Sequence, residues 1–430
     1  MAEPLSDCVI VGGGIGGAVL ALSLARRGRR VTILEREAHP SVVAPSASAS
    51  GTSSATVNGQ TPVPASVARP EILAASTIQT FRALGLDDAR LREASLPLAG
   101  LELRRIGGEP LLTLSAEDFA HAGVQPYSTD PARTRQWLLE AAAATGAVDV
   151  RHGVEAQGLI MAGSRCAGVR ATRAGTPVEF RAPLVVGDDG GQSRVRASLG
   201  LVLQTRELPL EFLGAVVPAA LNQRPGLGQG WINPDGLHDG FFAGLFLPLP
   251  GERTALVFLL AHAAAERCLA GDPSAFFAAV ERLSPLGAGL ARHIPFPRGL
   301  GRFRRPFGHA PRYVADGAAL LGDAAHPVTP AGGQGANMSV ADAVALAEVA
   351  DAALAAGDCS AARLRAYETQ RRPANARSLQ FSVRTHRVLC TLQVLPWLAS
   401  PALAYVRRVN RRPATKHRLL RALAQSFQSR

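Results

Sequence analysis

The stretch VIVGGGIGGAVLALSLARRGRRVTILERE, residues 9–37, decides the fold. Its apolar entry, DCVIV at 7–11, reads as a buried strand, residues 15–27 as a helix and RVTIL at 30–34 as a second strand. Two strands joined through a helix must run parallel, so this is the start of an α/β sheet. Gly12, Gly14 and Gly17 form G-x-G-x-x-G at the junction of strand and helix. The first glycine permits the tight turn, the second lets a pyrophosphate approach the backbone, and the third allows close helix–strand packing. Ile15 and Gly16 complete the turn, where the helix N-terminus offers unpaired N–H groups and the positive end of its dipole to phosphate. Glu35, with Arg36 beside it, ends the second strand 18 residues after Gly17, placed to bond a ribose hydroxyl. Strand, helix, second strand and acid together predict a dinucleotide site.

The same reading extends outward. Residues 40–68 carry no charged side chain and are rich in Ser, Ala, Pro and Thr, which predicts a long flexible loop. Helices are expected at 70–84, ending near Gly85, and at 131–145, with a strand at 147–151. LVVG at 184–187 and AALLG at 318–322 read as short buried strands, and a helix is expected at about 337–356. The apolar runs 212–217, 241–249 and 254–260 lack helical periodicity and are broken by Pro and Gly, which predicts a mostly antiparallel sheet. The uncharged stretch 388–406 is long enough to span a bilayer, but Pro396 and Pro401 favour two short amphipathic pieces.

The chain has 430 residues, 47% hydrophobic and 19% charged, which is globular material of two or three folding units. The net charge of +12 is uneven: the last 62 residues hold 13 Lys+Arg and no acid, while residues 1–368 are close to neutral. The high isoelectric point is therefore a property of the tail, and no nucleic-acid motif accompanies it. For the tail, peripheral contact with an anionic membrane through residues 384–430 stands against a helical cap packed on the nucleotide domain. Five dispersed cysteines without a C-x-x-C fit reduced thiols better than disulfides or a zinc site. The first residues lack the basic region of a signal peptide, and a cytoplasmic location, peripheral on the inner face of the membrane at most, is expected.

Two further motifs carry chemistry. In LVVGDDGGQSRVR, residues 184–196, Asp189-Gly190 follows a strand, with Ser193 and Arg196 behind it. Alone such a pair is usually just a turn. In ALLGDAAHPVTPAGGQGANMSVADAVALAEV, residues 319–349, a strand runs into Gly322-Asp323, then a Pro/Gly loop, then a helix. Ser339 and Asp342 fit a capping pair near its start, and His326 reads as a structural loop histidine.

Together the three motifs resemble the FAD-dependent group A aromatic monooxygenases of the p-hydroxybenzoate hydroxylase fold, with ubiquinone-biosynthesis hydroxylases and squalene epoxidase as relatives. The likeness runs over residues 5–373, and motif-quality similarity is confined to the three segments. Arg69 stands where the family often has a flavin-proximal arginine, Arg135 looks like the first residue of its R-x-x-L helix, and YETQRRP at 367–373 looks like the end of its FAD domain. The resemblance implies that Gly12, Gly14, Gly17 and Glu35 hold the ADP half of FAD, and that Asp189 lies near the pyrophosphate and is linked to NADH or NADPH use. It also implies that Asp323 holds the ribityl chain, while Pro330 and the backbone at Gly335, Ala336 and Asn337 face the isoalloxazine ring. GDDG replaces the commoner GADG, which adds Asp188, a carboxylate expected to point away from phosphate or to cost affinity.

The implied fold is a Rossmann-like FAD-binding domain (1–75, 130–200 and 300–365) with a parallel sheet. A mostly antiparallel substrate domain (76–129 and 201–299) and a basic C-terminal helical segment (366–430) complete it. The implied activity is insertion of one oxygen atom from dioxygen, by hydroxylation or epoxidation through a flavin hydroperoxide, into a lipophilic aromatic, quinone or polyketide-like substrate of secondary metabolism. The runs FFAGLFLPLP and TALVFLL agree with an apolar substrate, and His238 and Asp239 beside them carry no assigned role. A flavin reductase of the geranylgeranyl-reductase type and a non-catalytic flavin-binding protein are the other readings. A monomer or homodimer is expected.

Overall fold

A computed structural model describes residues 6–38, 71–108, 110–206, 210–220, 225–233, 240–270, 273–294, 296, 299–303, 307–330, 333–394 and 398–425. The 40–68 loop, Arg69, His238 and Asp239 lie outside the described residues. The chain is α/β, with one sheet built around Cys8–Val11 and a second built from the apolar runs.

In the first sheet, Cys8–Val11 pairs in parallel with Val31–Glu35 on one side and Leu184–Gly187 on the other. Val148–His152 extends the sheet beyond Val31–Glu35, and Ala318–Leu320 extends it beyond Leu184–Gly187. Only the edge pair, Val314–Ala315, runs antiparallel. The central strands are buried throughout, as expected of parallel strands covered on both faces. The helix Ile15–Ala25 lies between the helices Gly335–Ala355 and Pro131–Ala144, which explains why nearly all of its residues are buried. A three-stranded meander, Val154–Ala162, Arg165–Arg173 and Thr176–Arg181, packs its apolar side chains into the same core.

The second sheet has seven strands, in the order Gly301–Phe303, Leu210–Val217, Arg253–Ala261, Phe241–Leu249, Leu227–Ile232, Gly100–Arg105 and Pro110–Ser115. All neighbours are antiparallel except Leu227–Ile232 with Gly100–Arg105. Alternation sorts its side chains onto two faces. Leu213, Ala215, Leu256, Phe258 and Leu260 pack under the helices His262–Leu269, Pro273–Leu283 and Pro285–Ala291. Leu210, Phe212, Phe242 and Leu259 gather in a separate cluster that also takes Cys390 from the C-terminal region. A buried ion pair ties the second sheet to the Pro131–Ala144 helix: Arg253 Nη1 lies 2.5 Å from Asp130 Oδ2, and Asp130 caps that helix.

Several local expectations are corrected. Residues 71–73 form a strand paired with Tyr127–Thr129, so the predicted 70–84 helix begins only at Ala75 and ends at Ala83 before Gly85, φ +65°. Ser339 and Asp342 do not cap the late helix; it starts at Gly335 with no side-chain cap. Asp342 is drawn into a buried network described below, because charged partners arrive from other elements. Of the 388–406 stretch, the described residues belong to two helices, Ala361–Val394 and Ala399–Asn410, the first of 34 residues and not a short piece. Pro373 lies inside the first of these.

The basic tail is a cap, but the last two helices pack on the Pro110–Ala122 region and not on the parallel sheet. Lys416 Nζ donates to Asp118 Oδ2 (2.7 Å) and to the Thr113 carbonyl (3.2 Å), and His417 bonds Asp118 Oδ1. His417 also stacks on His121, and Leu420 enters the cluster of Leu98, Leu114 and Phe119. Apolar faces thus turn inward, while Arg407, Arg408, Arg411, Arg412, Arg418 and Arg421 stay exposed. Among the described residues, no helix is long and apolar enough to cross a membrane. None of the five cysteines is joined in a disulfide.

Candidate functional site

The carboxyl ends of four neighbouring parallel strands meet at one edge. Val11 leads into Gly12, Glu35 ends its strand, Gly187 leads into Asp188-Asp189, and Leu320 leads to Gly322-Asp323. The chain runs outward from Cys8–Val11 first to one side and later to the other, so the glycine turn sits at the switch point, where α/β sheets hold ligands.

The three motifs are in contact. Gly12 has φ +102°, and a Cβ there would lie 2.3 Å from the Asp188 carbonyl oxygen. A Cβ on Gly16 would meet Leu321 Cδ1 at 2.7 Å, and one on Gly322 would meet Ser339 Oγ at 2.4 Å. These glycines let the motifs of residues 9–37, 184–196 and 319–349 close on one another. Asp188 N also donates to the Val11 carbonyl, and Leu321 N to that of Gly187.

At the ribose end, buried Glu35 accepts from Gly13 N (2.9 Å) and Glu37 N (2.7 Å). Arg135 reaches both Glu35 (3.4 Å) and Glu37, so it belongs to this corner and is not a stray surface arginine. Arg36 beside it is exposed. In the middle, Asp189 Oδ2 accepts from Arg194 N (2.6 Å) and Val195 N (3.1 Å). Its Oδ1 is buried without a partner, and burial raises its carboxyl above the usual range. Gly190, φ +77°, makes the turn, so turn and acid coexist. Arg196, which the sequence marks only as following the motif, donates to the Ala324 and Gly191 carbonyls (2.7 and 2.6 Å) and ties the second motif to the third.

Asp188 is the chain's own addition. Its Oδ2 accepts from Gly17 N at 2.7 Å, so a residue 171 positions away caps the first helix from beneath the glycine turn. Burial, then the nearby carboxylates of Asp189, Asp323 and Asp342, hold its carboxyl well above the ordinary value, and only the Gly17 bond opposes them. A raised folded-state pKa means stability that is complete below the unfolded value of about 3.9 and is lost as pH rises through the folded value. The isosteric Asp188→Asn variant is therefore expected to lose that part of the alkaline decline. Urea unfolding at pH 5 and pH 8 should show a smaller difference in the variant than in the parent; an equal difference would show that Asp188 is not the group responsible.

At the far end, Asn337 is consumed structurally. Its Oδ1 accepts from Ala74 N and Thr77 Oγ1, and its Nδ2 donates to the Ile72 and Gly333 carbonyls. This fixes the start of the Gly335–Ala355 helix, whose first N–H groups at Gly335, Ala336 and Asn337 form its N-terminus. Behind the preceding loop lies a network the sequence did not reveal. Asp342, fully buried, bonds His326 Nε2 (2.5 Å), Arg371 Nε (2.8 Å) and Asn375 Nδ2 (2.9 Å). Burial would raise the Asp342 pKa, but the His326 and Arg371 contacts outweigh it and hold the carboxylate well below its usual range. His326 is thus the structural histidine expected.

The arrangement fits a long dinucleotide. It offers a glycine turn at a helix N-terminus, an acid at the ribose corner, an unsatisfied buried acceptor at Asp189 and a second helix N-terminus behind a Pro/Gly loop. These define an FAD-binding fold of the p-hydroxybenzoate hydroxylase kind.

Comparison with known proteins agrees. The family model described as FAD binding domain matches residues 6–224 and 292–382, and the chain belongs to the FAD-dependent group A monooxygenases. It is 30% identical over 390 residues to ubiquinone hydroxylase UbiL of Rhodospirillum rubrum, covering 87% of this chain and 79% of the relative. It is 27% identical to 6-methylpretetramide 4-monooxygenase of Streptomyces rimosus, over 99% of this chain and 93% of that one. Among solved structures, p-nitrophenol 4-monooxygenase PnpA from Pseudomonas putida DLL-E4 superposes with a TM-score of 0.74 at 20% identity, each chain covered fully. PqsL of P. aeruginosa superposes at 0.72 and 23% identity, over 90% of this chain and 97% of that one. The protein is an FAD-dependent monooxygenase.

Proposed function

We propose that the protein hydroxylates a lipophilic aromatic or quinone-like substrate, using NADH or NADPH as the reductant of its FAD. The observation that carries the substrate class is the apolar sheet face of Leu210, Phe212, Phe242 and Leu259, which packs against the long helix that also touches the loop before Pro330. A ubiquinone hydroxylase among the relatives agrees with such a ring.

When bound, FAD supplies redox chemistry that activates dioxygen; the protein supplies binding, orientation and exclusion of water. In this reading Gly14, Ile15 and Gly16 would present backbone N–H groups to the pyrophosphate, Gly12 and Gly17, whose N–H groups are taken by the Leu34 carbonyl and Asp188, would shape the turn that lets it approach, and Glu35, steadied by Arg135, would take a ribose hydroxyl. Asp189 Oδ1 accepts from the cofactor or a water on it, and Asp323 takes the ribityl chain. The helix N-terminus at Gly335 to Asn337 would stabilise negative charge on the ring, and Pro330 would face it. Arg69 stays a candidate on sequence alone. Secondary metabolism or quinone synthesis is the setting this substrate class suggests.

The deciding experiment reconstitutes the protein with FAD and supplies NADPH or NADH, labelled dioxygen and a panel of phenols and quinols. One labelled oxygen atom in the product, with faster reductant consumption when substrate is present, is expected. Substrate-independent oxidation with no label in any product would overturn the proposal.

A further inference from the structure

His386 lies on the long Ala361–Val394 helix and is 2% exposed, yet neither ring nitrogen has a hydrogen-bond partner. Leaving two polar atoms of one side chain dry costs stability, so an unsatisfied group of this kind calls for an explanation. Its surroundings supply one. Ser382, one turn earlier on the same helix face, bonds Thr329 Oγ1 at 2.5 Å and the Thr329 carbonyl at 3.2 Å. Thr329 directly precedes Pro330, so His386 sits about 6 Å along the helix axis from the anchor of that loop. On its other side the imidazole packs edge-on to Phe212, ring centroids 6.0 Å apart, and Cys390, one turn later, joins the Leu210, Phe242 and Leu259 cluster. The histidine therefore stands where the Pro330 loop and the apolar sheet face come together.

We propose that His386 is the polar anchor for the substrate, hydrogen-bonding a ring hydroxyl or carbonyl and so selecting oxygen-bearing aromatics over plain hydrocarbons. The inference rests on the function proposed above and adds a specificity-determining residue to it. A neutral imidazole carries one donor and one acceptor, which together match a hydroxyl. Burial lowers the His386 pKa to about 4, so the ring is neutral at physiological pH and binds by hydrogen bonding, too weakly basic to remove a phenolic proton. A site whose polar atoms are satisfied only by the correct ligand discriminates strongly against an analogue lacking that group.

The test uses FAD-loaded protein titrated with 1-naphthol and, separately, naphthalene, read by the perturbation of flavin absorbance. The parent protein should bind 1-naphthol at least tenfold more tightly. His386→Leu should bring the ratio close to one, chiefly by weakening naphthol, while His386→Gln, which keeps a donor and an acceptor, should retain most of the preference. Because the leucine variant replaces an unsatisfied polar group, its melting temperature should equal or exceed the parent's, whereas a structural histidine would lower it. An unchanged ratio in His386→Leu, a variant that fails to fold, or a parent whose flavin responds to neither compound would each overturn the assignment. Failure of the proposed function itself would appear elsewhere, as the absence of labelled oxygen in any product.

Discussion

Gly12→Ala is expected to yield a colourless protein. The added methyl group would lie 2.3 Å from the Asp188 carbonyl oxygen and 2.7 Å from its carbon, both backbone atoms that cannot rotate away. The residue would also have to hold φ +102°, which costs an L-residue roughly 1–2 kcal/mol before any clash is counted. The turn and the Asp188 segment must therefore separate, at the point where the cofactor's phosphates would approach the backbone. A combined loss of about 3 kcal/mol is on the order of a 100-fold weaker FAD affinity. Gly28→Ala is the matched control: φ is +80° there, but nothing lies within 4 Å of the added carbon. It should cost about 1 kcal/mol of stability and leave FAD bound. Flavin retained after gel filtration measures both; equal retention in the two variants would mean that the close approach at Gly12 is unimportant.

Asp342→Ala should be the most destabilising single change away from the cofactor. It strips the partner from Arg371 and His326 in a site where both are almost fully buried. An uncompensated buried charge costs about 3–5 kcal/mol, against a total stability of about 5–15 kcal/mol for a typical domain. The same carboxylate fastens the Gly322 amide, so the Gly322-Asp323 turn should loosen and FAD affinity should fall with stability. Because the folded-state pKa of Asp342 is depressed, its contribution is present above the unfolded value of about 3.9 and is lost as pH falls through the folded value. The variant should therefore lose part of the parent's acid sensitivity. The double variant Asp342→Ala, Arg371→Met removes the stranded charge too and should recover part of the loss. Melting temperatures of the three proteins decide the matter; a double variant no better than the single would show that the pair's charge is not the cause.

The FAD-binding half was legible because its signals are local. Residues 9–37 carry strand, turn, helix, strand and acid in order, and the structure places all of them as expected. The antiparallel runs at 212–217, 241–249 and 254–260 were legible for the same reason, since the absence of a helical period and the Pro and Gly breaks are read over a few neighbours. Failures came where a distant partner overrode a local rule. Residues 71–73 look helical alone, but Tyr127–Thr129 offers them a strand. Asp342 looks like part of a cap, but Arg371 and Asn375, some 30 positions away, claim it. The Asn337 side chain, to which the motif assigned no role, clamps residues 72–77.

By itself the sequence pointed to a dinucleotide site, because glycine turns, strand periodicity and a strand-end acid are properties of short segments, and the resemblance of its three motifs pointed to the flavin monooxygenases. Only the tertiary structure decided what each remaining polar group does. Asp188 became a cap for a helix 171 residues earlier, the basic tail folded back through Lys416 onto Asp118, and His386 was left dry beside Phe212. The reason is physical: whether a polar atom is paired, stranded or charged depends on what lies within a few ångströms of it, and sequence spacing does not record that distance.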